Sequence, residues 1–354
     1  MGERELKVLV VDDSAINRRS LADIVGGIPS VSVVGKAANG EEALRLVYST
    51  EPDLITLDLE MPRMDGFTFL RILMARRPMP VLVVSSYSQK ENVFKALDLG
   101  AIDFVAKPEI VLFGEEALRK QLTEKIEGFR ALPDYKPHLR ARMESRGRAE
   151  SAPSSSVRGL VVIAASTGGP TALMQVIGAL PKNLRAAVLI AQHMPEKFTR
   201  TFAERLDRHS QLTVREAEQG EVILAGEVLV SPGMRSMEVA GSLSDSRVRI
   251  VPADPADRFA PSADRLFASA ARLWGSRVLG VVLTGMADDG SAGAKLIKQA
   301  GGRVLAESAE TAVVYGMPRA VVEAGLADRV LRLEQVASAI VEEVRGFFDS
   351  PRLE

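Results

Sequence analysis

The strongest constraint on this chain is a series of strand-length apolar runs, each halted by a turn that carries reactive side chains. Leu160–Ala165 stops at Ser166-Thr167-Gly168-Gly169-Pro170. The run 186–191 stops at Gln192-His193-Met194-Pro195, and 278–283 stops at Thr284-Gly285-Met286-Ala287-Asp288-Asp289-Gly290. Continuous apolar runs of this length, bounded by glycine and proline, predict strands buried on both faces, as in a parallel sheet. Parallel strands deliver the loops that follow them to one edge, so the three turns can converge.

A serine at a strand-to-helix elbow faces the free N–H groups and partial positive charge of the helix start. That setting suits a nucleophile or an anion-binding loop. With an imidazole and a carboxylate from neighbouring strand ends, it becomes a hydrolase constellation. Ser166 attacks, His193 takes its proton, and a carboxylate orients the ring. Asp288 and Asp289 both satisfy the spacing for the third position. His193 is the candidate base because the chain has only 3 histidines. The other two, His138 and His209, lie in a polar linker and a charged helical stretch. The order Ser, His, Asp and the lack of a Gly-x-Ser-x-Gly elbow separate the chain from the common serine hydrolases.

The first half repeats the pattern with acidic turns. Leu6–Val11 leads to Asp12-Asp13, Leu54–Leu57 to Asp58, the run 81–84 to Ser85, and the run 102–106 to Lys107-Pro108. With 31–35 as a further strand and helical patterns between, residues 1–128 predict a flavodoxin-like doubly wound domain. Three carboxylates at one sheet edge repel one another unless a cation joins them. Hard oxygen donors without histidine favour Mg²⁺. A lysine and a hydroxyl beside that cluster suit a transferable phosphoryl group, with Asp58 as the carboxylate nucleophile.

Composition sets the limits. A chain of 354 residues with 46% hydrophobic content can bury two cores, and a formal charge of -1 supplies no global field for nucleic acid or an anionic membrane. The apolar runs are too short to span a bilayer, so no membrane insertion and a cytoplasmic location are expected. With 0 cysteines, disulfides and thiol catalysis are excluded. Residues 129–157, rich in arginine, proline and serine, read as a flexible basic linker ahead of an α/β serine-hydrolase domain at 158–354.

Val11-Asp12-Asp13-Ser14, the segment 57–66, Ser85-Ser86 and Phe104 through Pro108 resemble response-regulator receiver domains. Ala165 through Pro170, Gln192-His193-Met194-Pro195, Thr284-Gly285-Met286 with Asp289-Gly290, and Tyr315-Gly316-Met317-Pro318 resemble the catalytic domain of chemotaxis protein-glutamate methylesterases. The resemblance implies Asp58 as phosphoacceptor and Asp13, Asp58 and the Glu60 carbonyl as Mg²⁺ ligands supported by Asp12. Ser85, Phe104 and Lys107 would form the phosphorylation switch. It also implies a Ser166–His193–Asp289 triad, with oxyanion donors at Met286 and Thr167 and no cofactor for the ester chemistry. The implied substrates are γ-glutamyl methyl esters, and also glutamines, on methyl-accepting chemoreceptors, with a histidine kinase as phosphodonor. The receiver would restrain the esterase until phosphorylated. A receptor-binding module without turnover is the competing reading. A transcription factor is disfavoured, because the second half shows no helix-turn-helix pattern or basic face.

The chain departs from the family in three places. Ala287 stands where glycine is usual, Ser236 where histidine is usual, and Phe259-Ala260 where His-Arg is usual before Pro261-Ser262. Ala287 implies less backbone freedom beside the oxyanion donor, and the changes at Ser236 and Phe259-Ala260 predict a less basic cleft rim and weaker attraction for acidic receptor helices.

Overall fold

The computed structural model describes residues 5–86, 90–107, 111–130, 157–254 and 257–347. The chain divides into two compact units, residues 1–139 and 140–354. Residues 131–156 of the expected linker lie outside the described residues.

The first unit runs β1 (Leu6–Val11), α1 (Ala15–Gly26), β2 (Val31–Ala37), α2 (Gly40–Thr50), β3 (Leu54–Leu57), α3 (Gly66–Arg76), β4 (Val81–Ser86), α4 (Lys90–Asp98), β5 (Asp103–Lys107) and α5 (Val111–Arg130). Its 5-stranded sheet has the order β2-β1-β3-β4-β5, and every pair is parallel. The order reverses between β1 and β3, which opens a crevice at their carboxyl ends. Asp12 and Asp13 follow one of these strands, and Asp58 follows the other. Helix starts here are fixed by side-chain caps: Ser14, Asn39 and Asp65 accept from the backbones of Asn17, Glu42 and Thr68.

The second unit continues with β6 (Leu160–Ala165), α6 (Gly169–Ala179), β7 (Ala187–Gln192), α7 (Glu196–His209), β8 (Thr213–Glu216), β9 (Glu227–Val230), β10 (Arg235–Gly241) and β11 (Ser246–Pro252). It ends with α8 (Ala263–Trp274), β12 (Val278–Val282), α9 (Ser291–Gln299), β13 (Arg303–Glu307), α10 (Met317–Glu323), β14 (Arg329–Leu331) and α11 (Leu333–Gly346). Its 7-stranded sheet has the order β14-β13-β12-β6-β7-β9-β8 and is parallel throughout. From β6 the chain builds outward on one side and then returns to add β12 on the other. The reversal therefore falls between β6 and β12. Every residue of β6, β7 and β12 is buried, which explains their unbroken apolar sequences.

The antiparallel hairpin β10–β11 was not expected from the apolar runs. In β11 buried Ser246 and Val248 alternate with exposed Arg247 and Arg249, so its half-solvated pattern contains no continuous apolar stretch. The hairpin packs on α8, where Val239 N–H donates to Ser269 Oγ at 2.9 Å.

Phe267 of α8 sits in the core shared by β6, β12 and α9, and it is fully buried. Phe267→Ala should cost about 3–5 kcal/mol. In calorimetry, the unfolding of the second unit should move to lower temperature while that of the first stays in place.

Candidate active site and phosphoacceptor site

In the first unit, carboxylate oxygens of Asp12, Asp13 and Asp58 lie within 4.8 Å of one another. Asp12 and Asp58 are buried. Lys107 Nζ donates to Asp12 Oδ2 at 2.8 Å and to Asp58 Oδ2 at 2.6 Å. Burial pushes the Asp12 carboxyl above its ordinary value, and Asp58 adds to this, while Lys107 pulls the other way. Burial also opposes the Lys107 charge, but Asp58 and Asp12 outweigh it and hold the ammonium above its ordinary value. A crowded all-oxygen donor set with one lysine fits a hard divalent cation such as Mg²⁺. The Glu60 side chain is exposed, so any part it plays there falls to its backbone.

Ser85 is buried at the end of β4, beside Ala106 in register. Phe104 is already inward at 3% exposure and meets Phe94 edge-on, with ring centroids 6.3 Å apart. Asp103 Oδ1 accepts the Phe104 N–H at 2.7 Å, and Lys125 of α5 pairs with the other carboxylate oxygen. This ties β5 to α5, the last helix of the unit.

In the second unit, strand register assembles the site. Ala165 pairs with Gln192, and His193 N–H donates to the Ala165 carbonyl at 3.0 Å. Ser166 and His193 are consequently neighbours at the ends of β6 and β7. On the other flank, Val282 pairs with Ala164, and Ser166 N–H donates to the Thr284 carbonyl at 3.0 Å. Gly168 makes the elbow possible with φ 78, and a Cβ on it would lie 2.7 Å from Val313. Gln192 Nε2 bridges the Ser166 and His193 carbonyls at 3.0 and 2.9 Å.

His193 Nε2 meets Asp289 Oδ2 at 2.7 Å. That leaves Nδ1 as the ring nitrogen free for a serine proton, the reverse of the usage in chymotrypsin-like enzymes. Asp289 is almost fully buried at the amino end of α8. There it accepts N–H bonds from Ala263 at 2.8 Å, Asp264 at 3.0 Å and its own neighbour Gly290 at 3.1 Å. Burial opposes its charge, but His193 and these N–H groups outweigh it and hold the carboxyl below its ordinary value. Asp264, just behind, is pushed up to about 6 by burial and by Asp289 and Asp288. Asp288 points elsewhere: it is exposed and pairs with Arg258 Nη1 at 3.0 Å. Among the described residues, neither Thr167 N–H nor Met286 N–H has a hydrogen-bond acceptor. A Cβ on Gly285 would lie 2.9 Å from Ser166 Cβ, so the Met286 loop runs against the serine. Ala287 holds φ 60, a left-handed conformation that costs an alanine more than a glycine.

The model of the CheB methylesterase family matches residues 161–340, and the response regulator receiver model matches residues 8–122. The chain belongs to the CheB methylesterase family. It is 49% identical over 347 residues to protein-glutamate methylesterase/protein-glutamine glutaminase 6 of Anaeromyxobacter dehalogenans (strain 2CP-C), covering 97% of each chain. It is 45% identical over 346 residues to protein-glutamate methylesterase/protein-glutamine glutaminase 1 of Myxococcus xanthus (strain DK1622), covering 96% of this chain and 97% of that one. The crystal structure of the Thermotoga maritima CheB methylesterase catalytic domain matches with a TM-score of 0.51 at 40% identity, covering 53% of this chain and 99% of that one.

Two of the departures from CheB sequences take a different place from the one expected. Ser236 is fully buried, and its Oγ accepts the Ser262 N–H at 3.0 Å, so it shapes the start of α8 and contributes nothing to rim charge. Phe259 lies flat on the His193 ring, with centroids 5.0 Å apart and planes 9° apart. Arg258 covers Phe259 at 5.2 Å. A cleft of about 640 Å³ beside Asp289 is lined by the cations Arg258, Arg265 and Lys295 as well as by acids. Those acids are Asp257, Asp264, Asp288 and Asp289, and two of the cations are paired with them, Arg258 with Asp288 and Arg265 with Asp257. Sequence reasoning missed Gln192, Thr284, Ser262 and Phe259 as supports of the site, because none of them carries reaction chemistry.

Asp289→Asn should lower ester turnover on the order of 10³–10⁴-fold, while Asp288→Asn should change it by about twofold or less. Steady-state kinetics on both variants distinguishes the two aspartates, and equal losses would overturn the geometry. Removing the ring stack in Phe259→Ala should lower kcat/KM about fivefold, the equivalent of about 1 kcal/mol. Phe259→Tyr should restore it.

Proposed function

We propose that this chain hydrolyses γ-glutamyl methyl esters, and deamidates glutamines, on the cytoplasmic helices of methyl-accepting chemoreceptors, under control of phosphorylation at Asp58. The observation that carries the proposal is the part-buried His193–Asp289 bond beside Ser166, with the Thr167 and Met286 N–H groups left without an acceptor among the described residues. The names of the relatives support the same substrate class.

In this reading Ser166 Oγ attacks the γ-carbonyl carbon as His193 Nδ1 takes its proton. The carbonyl oxygen becomes an oxyanion held by Met286 and Thr167 N–H groups. Asp289, kept ionised by the start of α8, stabilises the imidazolium that forms. Collapse of the intermediate expels methanol, or ammonia from a glutamine, which leaves with the proton from His193. Water then attacks the acyl-serine by the same route and releases a glutamate carboxylate.

In the receiver, Asp58 attacks the phosphorus of a phosphodonor, a histidine kinase in the cell, and the donor's leaving group departs. Asp12, Asp13, Asp58 and the Glu60 carbonyl would hold Mg²⁺, which supplies charge neutralisation for that transfer. Lys107, freed from its carboxylate bonds, pairs with a phosphoryl oxygen, and Ser85 donates to another. Phe104 and the Asp103–Lys125 tie carry the change into α5. The unit boundaries support residues 1–128 as the receiver and 158–354 as the esterase. Among the described residues no helix is long and apolar enough to cross a membrane. The proposed place of action is the cytoplasm.

The test is methanol release from methylated receptor, with and without acetyl phosphate and Mg²⁺. Wild-type protein should speed up several-fold with phosphodonor, and Asp58→Asn should not respond. Ser166→Ala should fall at least ~10³-fold in both conditions. Stimulation that survives in Asp58→Asn would place the acceptor elsewhere, and methanol release by Ser166→Ala would remove the serine mechanism.

A further inference from the structure

Glu307 ends β13 and is fully buried, yet no step of the hydrolysis above uses it. Its Oε2 accepts the Thr284 N–H at 2.8 Å, while Oε1 has no hydrogen-bond partner among the described residues. Thr284 is the residue against which the elbow rests. Its carbonyl accepts the Ser166 N–H at 3.0 Å, and its Oγ1 donates to the Thr167 carbonyl at 2.8 Å and accepts the Val314 N–H at 2.9 Å. Gly285 and Met286 follow directly. One oxygen of Glu307 therefore secures the residue that connects the nucleophile to the oxyanion loop.

A carboxylate with one lone oxygen in a dry interior carries uncompensated charge. The groups that act on Glu307 offer little relief. Thr284 contributes an N–H from the end of β12, and the Thr311 hydroxyl, in the loop after β13, acts on the charge from nearby without satisfying Oε1. Among the described residues, the charge that acts on it is the Glu334 carboxylate at the start of α11, which is of like sign and is itself paired with Arg332.

We infer that Glu307 is a positioning residue held as a neutral carboxylic acid, that it anchors the Ser166 elbow and the Met286 loop through Thr284, and that its ionisation turns hydrolysis down at alkaline pH. The inference rests on the serine-hydrolase reading of this edge. Burial, reinforced by Glu334 and opposed by the Thr284 N–H, pushes the group up to about 7. A carboxyl raised this way binds a proton in the folded state that the unfolded chain has already released. Stability is accordingly lost as pH rises from the ordinary carboxylate range to about 7, and levels off above it. The ionised form also places negative charge behind the loop where the reaction develops an oxyanion, which lowers kcat without touching substrate binding.

The experiment compares wild type, Glu307→Gln, Glu307→Ala and Ser166→Ala. It measures methanol release from a γ-methyl-glutamyl peptide, and Tm, across roughly pH 5.5–9. Glutamine keeps the acceptor oxygen and removes the ionisation. Glu307→Gln should match wild type near the acid end and lack its alkaline decline, with a Tm advantage that grows with pH. Glu307→Ala should lower kcat about tenfold with KM little changed. Superimposable alkaline limbs and a pH-independent Tm difference would overturn the inference. As a check that needs no variant to fold, ¹³C-carboxyl NMR of glutamate-labelled wild type should show one carboxyl titrating near neutrality, and its absence is equally decisive. Activity in Ser166→Ala would instead sink the hydrolase reading, leaving the Tm and NMR results to judge Glu307 separately.

Discussion

The register of three parallel strands is the constraint on which the second unit depends. Pairing Ala165 with Gln192 and Val282 with Ala164 leaves Ser166, His193 and Thr284 side by side at one edge. The His193 N–H to Ala165 carbonyl bond continues this register past the end of β7. The Ser166 N–H to Thr284 carbonyl bond extends the ladder one residue beyond the strands. Chemistry begins where the ladder ends, which is why polar residues crowd that edge and are scarce in the strands below it.

Carboxylates along these sheet edges take different ionisation states according to what surrounds them. Asp289 stays charged at low cost because the amino end of α8 and His193 supply donors to both of its oxygens. Glu307, buried more completely but given one N–H, resists ionising. Asp12 and Asp58 crowd each other and share Lys107, an arrangement that calls for a further cation. Burial alone decides none of these. The number and sign of the partners does.

The support around His193 explains how a family member can change residues near its cleft without losing its base. Phe259 holds the imidazole plane by stacking, and Arg258, anchored on Asp288, holds Phe259. Ser236 substitutes a buried hydroxyl that meets a backbone N–H at the entry to α8. Both replacements act by packing and hydrogen bonding inside the site. The cleft beside Asp289 carries the charges of Arg258, Arg265 and Lys295 together with those of four aspartates.

The sequence by itself determined the architecture and supplied the candidate reactive residues. Leu160–Ala165 and its counterparts at 186–191 and 278–283 are continuous apolar runs of strand length, as a strand buried on both faces requires, and glycine and proline mark the turns where Ser166, His193 and Asp58 emerge. It also left two aspartates equivalent, because adjacent residues in a loop have no periodicity to separate them. Only the tertiary structure turned Asp289 onto α8 and His193 and turned Asp288 out to Arg258. The hairpin β10–β11, the stack of Phe259 on His193 and the burial of Glu307 behind Thr284 were likewise decided in three dimensions. Each joins residues distant in the chain through contacts with no local signature, since a phenylalanine or a glutamate looks the same in sequence whether it faces solvent or a catalytic ring.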